Sequence, residues 1–165
     1  MPSLVLAQSE PAGNRVDVNG MAMYYEVSGQ DDPLIVLHGA YMNIPMMGAI
    51  IPKLAETHKV YALELQGHGR TTDIDRPITY PNLADDVAAF MEAVGLEKAD
   101  VFGYSMGAAA GLQLRDLVLQ RRRQRVHQDG DGLVEAVRRH HRRDHRVAAY
   151  IDIGLACRLE PVARR

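Results

Sequence analysis

Apolar residues between positions 15 and 114 fall into short continuous runs that alternate with stretches of helical spacing. Strands are predicted at residues 21–27, 34–37, 60–65 and 101–104. Helices are predicted at residues 45–56 and 83–94, where apolar side chains have helical spacing, and at residues 106–114, which are rich in small residues. Wholly apolar runs such as 34–37 are typical of strands buried on both faces. The alternation predicts an α/β domain, a mostly parallel sheet with helices on both faces.

This pattern is lost after Leu114, where the charge balance also reverses. Residues 1–114 carry 6 basic and 14 acidic side chains, a net of −8, whereas residues 115–165 carry 13 arginines, no lysine and 7 acidic side chains, a net of +6. We find no strand in the second part that could extend a buried parallel sheet. The predicted organisation is a disordered N-terminus (1–14), an α/β domain (15–114) and an atypical Arg/His-rich tail (115–165). One hypothesis is a coding frame lost after Leu114, which translation of the DNA in the other two frames would test.

The overall composition is that of an ordinary soluble protein, with 47% apolar and 24% charged residues and a net charge of −2. The single cysteine, Cys157, is predicted to lie in an irregular tail without a role, so neither a disulfide nor a cysteine-rich metal site is expected. No apolar run reaches membrane-spanning length. The chain as given is expected in the cytoplasm. Residues 3–13 resemble the end of a signal peptide, which would mean export if the true start lies upstream.

The segment Gly103-Tyr104-Ser105-Met106-Gly107 joins the strand at 101–104 to an alanine-rich helix. A G-x-S-x-G segment in this context is typical of a nucleophile elbow, a tight turn that exposes a serine at the carboxyl edge of a sheet. The turn leaves no room for side chains two residues before and two after the serine, and Gly103 and Gly107 meet that requirement. Ser105 is therefore the candidate nucleophile, and the helix N-terminus behind it favours an oxyanion.

Two further segments stand in the order found in α/β-hydrolases, which residues 15–114 resemble. His38-Gly39-Ala40 resembles the family's His-Gly-x turn, and residues 66–71 resemble in part its glycine-containing loop after the fourth strand, with Glu64 and Gln66 departing from the pattern. The resemblance implies that the backbone N–H groups of Ala40 and Met106 form the oxyanion hole. It implies structural roles for His38 and His68, because the family's general base comes from later in the chain. The sheet is expected to be truncated before the last strands and the lid.

The resemblance implies a serine hydrolase that acts on an ester or a related carbonyl through an acyl-enzyme at Ser105. Ser105 argues against epoxide hydrolases and dehalogenases, because these members of the family use an aspartate nucleophile. Acyltransferases and cofactor-free haloperoxidases also use a serine and stay as alternatives. The implied partner is a small acyl substrate; no cofactor, metal, membrane or specific nucleic acid is implied, and the oligomeric state is left open. A triad also needs a histidine and a carboxylate. None is assigned from the tail candidates, which are His127, His140, His141, His145, Asp129, Asp131, Asp144 and Asp152.

The chain as given is therefore expected to be inactive, and poorly soluble because the strand at 101–104 would leave an open sheet edge. Tyr41, Met42, Met46, Met47 and Tyr104 either line an apolar acyl pocket or belong to the core. The alternative function is a non-catalytic binding protein whose basic tail contacts nucleic acid or an acidic surface. Filter binding to DNA across a salt series would separate the two, since arginine-rich segments bind nucleic acid in a salt-dependent way.

Overall fold

A computed structural model describes residues 13–128, 149–150 and 154–159, with side chains described up to residue 120. The strands are β1 (Asn14–Val18), β2 (Met21–Ser28), β3 (Pro33–Leu37), β4 (Lys59–Leu63), β5 (Ala99–Gly103), β6 (Ala149–Tyr150) and β7 (Gly154–Leu159). The helices are a 3-10 helix (Pro45–Met47), α1 (Ile50–Leu54), α2 (Tyr80–Ala93) and α3 (Met106–Gln128).

The strands form one sheet in the order β1-β2-β4-β3-β5-β7-β6. The central strands β4, β3 and β5 are parallel to one another, and the flanking pairings are antiparallel. The predicted α/β fold is confirmed, and its sheet is mixed, with the parallel part at the centre. Parallel strands meet at one carboxyl edge, so the segments that follow β3, β4 and β5 all begin on the same side of the domain.

Successive side chains of β3 supply two separate hydrophobic cores, one on each face of the sheet. Ile35 and Leu37 pack into the core beneath α2 and α3, together with Phe90. Leu34 and Val36 belong to the second core, which α1 helps to cover. Since alternate residues of a strand point to opposite faces, a wholly apolar β3 is what a sheet with two covered faces requires. Helices on both faces were predicted, and this is confirmed.

A hairpin between β1 and β2 was not predicted. Its turn consists of Asn19 and Gly20, with φ values of 49° and 87°. An Asn-Gly pair between two strands is a strong hairpin signal, because both residues tolerate the positive φ that a tight hairpin turn requires. The signal was present in the sequence and was overlooked.

Two helices differ from their predicted bounds. The predicted helix at 45–56 is divided into the 3-10 helix and α1 by Gly48, whose φ is 53°. By contrast, α3 continues well past Leu114 to Gln128. Arginine, leucine and glutamine favour helix strongly, so the helix continues where the apolar spacing ends. The division of the chain at residue 114 stays a prediction.

The edge of β5 is covered by β7, which pairs with it in antiparallel register from Ala99 opposite Leu159 to Gly103 opposite Leu155. The expectation of an open edge is therefore wrong, and Cys157 lies in this strand rather than in an irregular tail. Within the described residues no parallel strand follows β5. Residues 1–12 and most of the tail, including His140, His141 and His145, lie outside the described part, as do the predictions made for them. None of the helices in the described ranges is long and apolar enough to cross a membrane.

Candidate active site

Ser105 occupies the turn between β5 and α3, and its side chain is exposed at the carboxyl edge of the sheet. Its φ is 50°, in the left-handed region that residues other than glycine seldom adopt. The N–H of Gly107 donates to the carbonyl of Tyr104 at 2.9 Å and closes the turn around the serine. A backbone strain of this kind at an exposed polar residue is typical of functional sites.

The two elbow glycines are required by close backbone contacts. A Cβ on Gly103 would lie 2.5 Å from the backbone nitrogen of Ala108. A Cβ on Gly107 would overlap the carbonyl group of Leu37 at the end of β3. The same carbonyl accepts the N–H of Tyr104 at 2.9 Å. The turn is therefore wedged between the start of α3 and the end of β3, with no space for a methyl group on either glycine.

The exposed serine opens into a cavity of about 660 Å³. Ala40 and Met106 line this cavity with Ser105, and residues 78–81 and Leu83 form the rest of its wall. Met106 is the first residue of α3, so its N–H has no acceptor within the helix. The structure thus brings Ser105 together with both residues predicted to provide the oxyanion hole. The role of the two amides stays a prediction.

His38 is buried, with 1% of its surface exposed, and both ring nitrogens are engaged. Its Nδ1 lies 2.7 Å from the carbonyl oxygen of Gly39, and its Nε2 lies 3.1 Å from the N–H of Leu65. A neutral ring that donates from Nδ1 and accepts at Nε2 satisfies both partners. Burial lowers the pKa of His38, and the nearby His68 adds to this, while the Gly39 carbonyl opposes it. His38 therefore braces the loops after β3 and β4, as predicted.

His68 is half-buried in the loop after β4. Its Nδ1 donates to the carbonyl oxygen of Gln66 at 2.8 Å, and its ring centre lies 5.1 Å from that of His38. It does not line the cavity of Ser105. The third histidine with a described side chain, His58, precedes β4 and so lies at the opposite edge of the sheet. The side chains that are described therefore provide no histidine in the cavity, and the general base stays unassigned.

A buried ion pair in the same loop was not predicted. The carboxylate of Glu64, fully buried just after β4, receives the guanidinium of Arg70 at 2.7 Å and the N–H of Ile44 at 3.2 Å. Burial would raise the pKa of Glu64, but hydrogen bonds from Arg70 and the Ile44 amide outweigh it, so the pKa is lowered. The sequence signal was a glutamate inside the apolar run 60–65. Such a residue needs a partner, and the next cation along the chain is Arg70.

No group of three or more side chains suited to hold a metal ion is found in the described ranges.

The residues at 41–47 that could line an acyl pocket are divided between core and surface. Met47 is buried, whereas Tyr41, Met46 and Tyr104 are exposed. None of these residues lines the cavity, whose large apolar side chains are instead those of Ile78, Tyr80 and Leu83.

Residues 32–127 of the 165-residue chain match the family model of the alpha/beta hydrolase fold. The match extends over more than half of the chain and includes the turn after β3, the loop after β4 and the elbow. The chain belongs to the α/β-hydrolase fold family.

Several proteins of known name are similar to it. The dihydrolipoyllysine-residue acetyltransferase component of the acetoin cleaving system of Pseudomonas putida is 30% identical over 113 residues, which is 67% of this chain and 30% of that protein. The soluble epoxide hydrolase of Corynebacterium sp. (strain C12) is 32% identical over 108 residues, 61% of this chain and 37% of that protein. Among solved structures, Est816, an N-acyl homoserine lactone degrading enzyme, matches with a TM-score of 0.58 and 27% identity, covering 62% of this chain and 39% of that one.

The chain spans about a third of the length of the relatives that it matches, 30% and 37% of the two named above. The range that matches the family model, residues 32–127, carries the elbow and the candidate oxyanion amides.

Proposed function

We propose that Ser105 is the nucleophile of a serine hydrolase that acts on an ester or a related carbonyl compound. The observation that carries this proposal is the strained, exposed Ser105 in one cavity with Ala40 and Met106. Its Oγ would attack the carbonyl carbon, and the carbonyl electron pair would move onto the oxygen. The N–H groups of Ala40 and Met106 would donate to that oxyanion. Its collapse would expel the alcohol and leave an acyl-serine, which water would then hydrolyse.

The serine proton needs an acceptor during the attack. The cavity-lining residues with described side chains include no histidine and no carboxylate. A serine hydroxyl without a base is a poor nucleophile. We therefore expect little or no ester turnover by this chain alone.

The identity of the nucleophile narrows the reaction class. This chain has Ser105 at the elbow, which argues against epoxide hydrolase chemistry that uses an aspartate nucleophile there. A lactone is a cyclic ester, so the attack of a serine on an ester carbonyl would also apply to the lactone that Est816 degrades. If an alcohol or thiol took the place of water, the same acyl-serine would support acetyl transfer, the activity in the name of the Pseudomonas putida relative.

An exogenous base tests the proposal. The chain and a Ser105→Ala variant are incubated with p-nitrophenyl acetate at increasing imidazole concentration, and p-nitrophenol release is measured. Imidazole hydrolyses the ester by itself, and the variant measures that background. We expect an excess rate that only the Ser105 protein shows, and an acetyl group on the peptide that contains Ser105, identified by mass spectrometry. Equal rates in both proteins and an unmodified peptide would contradict the proposal.

A further inference from the structure

The wall that residues 78–81 contribute to the cavity of Ser105 exposes two large apolar side chains outside the core. Ile78 is 46% exposed and Tyr80 is 52% exposed, and both line the cavity. They lie just before α2 and at its first residue, with Thr79 between them as the N-cap. Exposed apolar side chains that face a cavity beside a nucleophile are suited to contact a bound ligand.

The segment that carries this wall is held in place by polar groups. Gln66 donates from Nε2 to the carbonyl oxygen of Arg76 at 3.0 Å and to the carboxylate of Asp73 at 2.9 Å. The guanidinium of Arg76 pairs with the fully buried carboxylate of Asp86 on α2 at 2.6 Å. These bonds connect the irregular segment both to the start of the loop after β4 and to α2. The wall is thus preformed, which reduces the entropy cost of binding.

The far end of the same segment is fixed as well. Asn82 donates from Nδ2 to the carbonyl oxygen of Pro77 at 2.8 Å, and its N–H donates to the hydroxyl of Thr79 at 3.3 Å. Ile78 also lies near Gly67. A Cβ added to that glycine would be 3.5 Å from the Ile78 Cδ1. Ile78 is therefore held in position from both sides.

Among the residues whose side chains the structure describes, none that lines the cavity is charged. A substrate group that carries a charge would lose its hydration there without gaining a counter-charge. We infer that Ile78 and Tyr80 select the substrate, by packing against an uncharged, apolar group of the ester whose carbonyl Ser105 attacks. The inference rests on the proposed function, and it adds the class of substrate and the residues that recognise it.

Binding without turnover tests this selection. The Ser105→Ala variant is titrated with ethyl hexanoate and with monoethyl adipate, which has a similar length but ends in a carboxylate, and binding is followed by ligand-detected NMR. We expect saturable binding of ethyl hexanoate and at least about tenfold weaker binding of the charged ester. Since one buried aliphatic side chain corresponds to a factor of about ten or more, adding Ile78→Asp to this variant is expected to weaken ethyl hexanoate binding about tenfold.

Two further variants serve as controls. Leu119→Asp alters a side chain of similar exposure, 45%, that does not line the cavity, and should leave binding unchanged. Ile78→Ser removes the apolar contact without adding a charge, and should weaken binding even if the aspartate variant misfolds. Absence of saturable binding, equal affinity for the two esters, or full affinity in Ile78→Ser would each overturn the inference. Because Ser105 is absent from all these proteins, a failure of acylation would leave these results unaffected.

Discussion

Glu64 and Arg70 are joined twice, because the carboxylate of Glu64 accepts both the backbone N–H and the guanidinium of Arg70. The guanidinium also lies over the ring of Tyr24, 3.7 Å from its centroid, and donates to the Tyr24 hydroxyl at 2.7 Å. The pair therefore connects the loop after β4 to β2. It also contacts the loop after β3 through the N–H of Ile44.

This ion pair predicts an acid-dependent stability. The folded-state pKa of Glu64 is lowered from 4.5, so the unfolded chain binds a proton more readily. The stabilisation by Glu64 is therefore complete above pH 4.5 and is lost as the pH falls below it towards the folded-state pKa. Glu64→Gln should be less stable at pH 7 by about 1.5–3 kcal/mol, since the charge-assisted hydrogen bonds between Glu64 and Arg70 are weakened and Arg70 keeps only Glu26 as an anionic partner. Urea unfolding at several pH values should show that the difference in free energy of unfolding between the two proteins is smaller in acid than at pH 7.

The matched control is Glu56→Gln, which removes an exposed partner of Lys53. An exposed pair of this kind contributes about 1 kcal/mol or less. A Glu64→Gln protein with the same stability and the same pH dependence as Glu56→Gln would show that the buried pair does not stabilise the fold.

Gly107→Ala should be strongly destabilising, because the new Cβ would meet the backbone carbonyl of Leu37, which cannot rotate away. We expect a loss of at least about 3 kcal/mol in the free energy of unfolding, at the upper end of overpacking effects. Gly111→Ala is the comparison within the same helix. Its Cβ would lie 3.3 Å from the Val101 Cγ1, and alanine favours helix, so the change in stability should be small. Similar losses in both variants would refute a specific fit at the elbow.

Ser105→Gly should raise stability relative to Ser105→Ala. At a φ of 50° glycine has no Cβ strain, whereas alanine keeps it. The expected difference is about 1 kcal/mol, the usual cost of a left-handed conformation for a residue with a side chain. Thermal unfolding of the two variants measures it. Ser28→Gly in β2, where φ is not positive, should instead be destabilising; if Ser105→Gly behaves like Ser28→Gly, the turn is not strained.

The strands of the sheet centre and the elbow could be predicted because their signals are local. Residues 34–37 are apolar throughout, and the glycine spacing around Ser105 specifies the turn without reference to the rest of the chain. The end of α2 before Gly95 could also be predicted, because glycine readily adopts the left-handed conformation that often follows a helix. Gly95 has this conformation, with a φ of 72°. Features of this kind depend on neighbours in the sequence and on two simple periodicities.

What could not be predicted depends on contacts between distant residues. The pair of Arg76 and Asp86 needs the loop and α2 to be in place, and the cavity wall at Ile78 depends on that pair in turn. The pairing of β7 with β5 likewise joins residues more than fifty positions apart. The histidine that the proposed reaction requires could not be assigned either, because the tail candidates follow no apolar strand.

The carbonyl of Leu37 lies against both sides of the elbow, since it accepts the N–H of Tyr104 and faces the Cα of Gly107. The backbone of Ser105 is therefore coupled to the alignment of β3 against β5. Mutations that disturb the turn at Ser105 should thus include core substitutions under β3 that do not touch the site. Second mutations in the same core that restore the alignment of the strands should in turn restore the turn at Ser105.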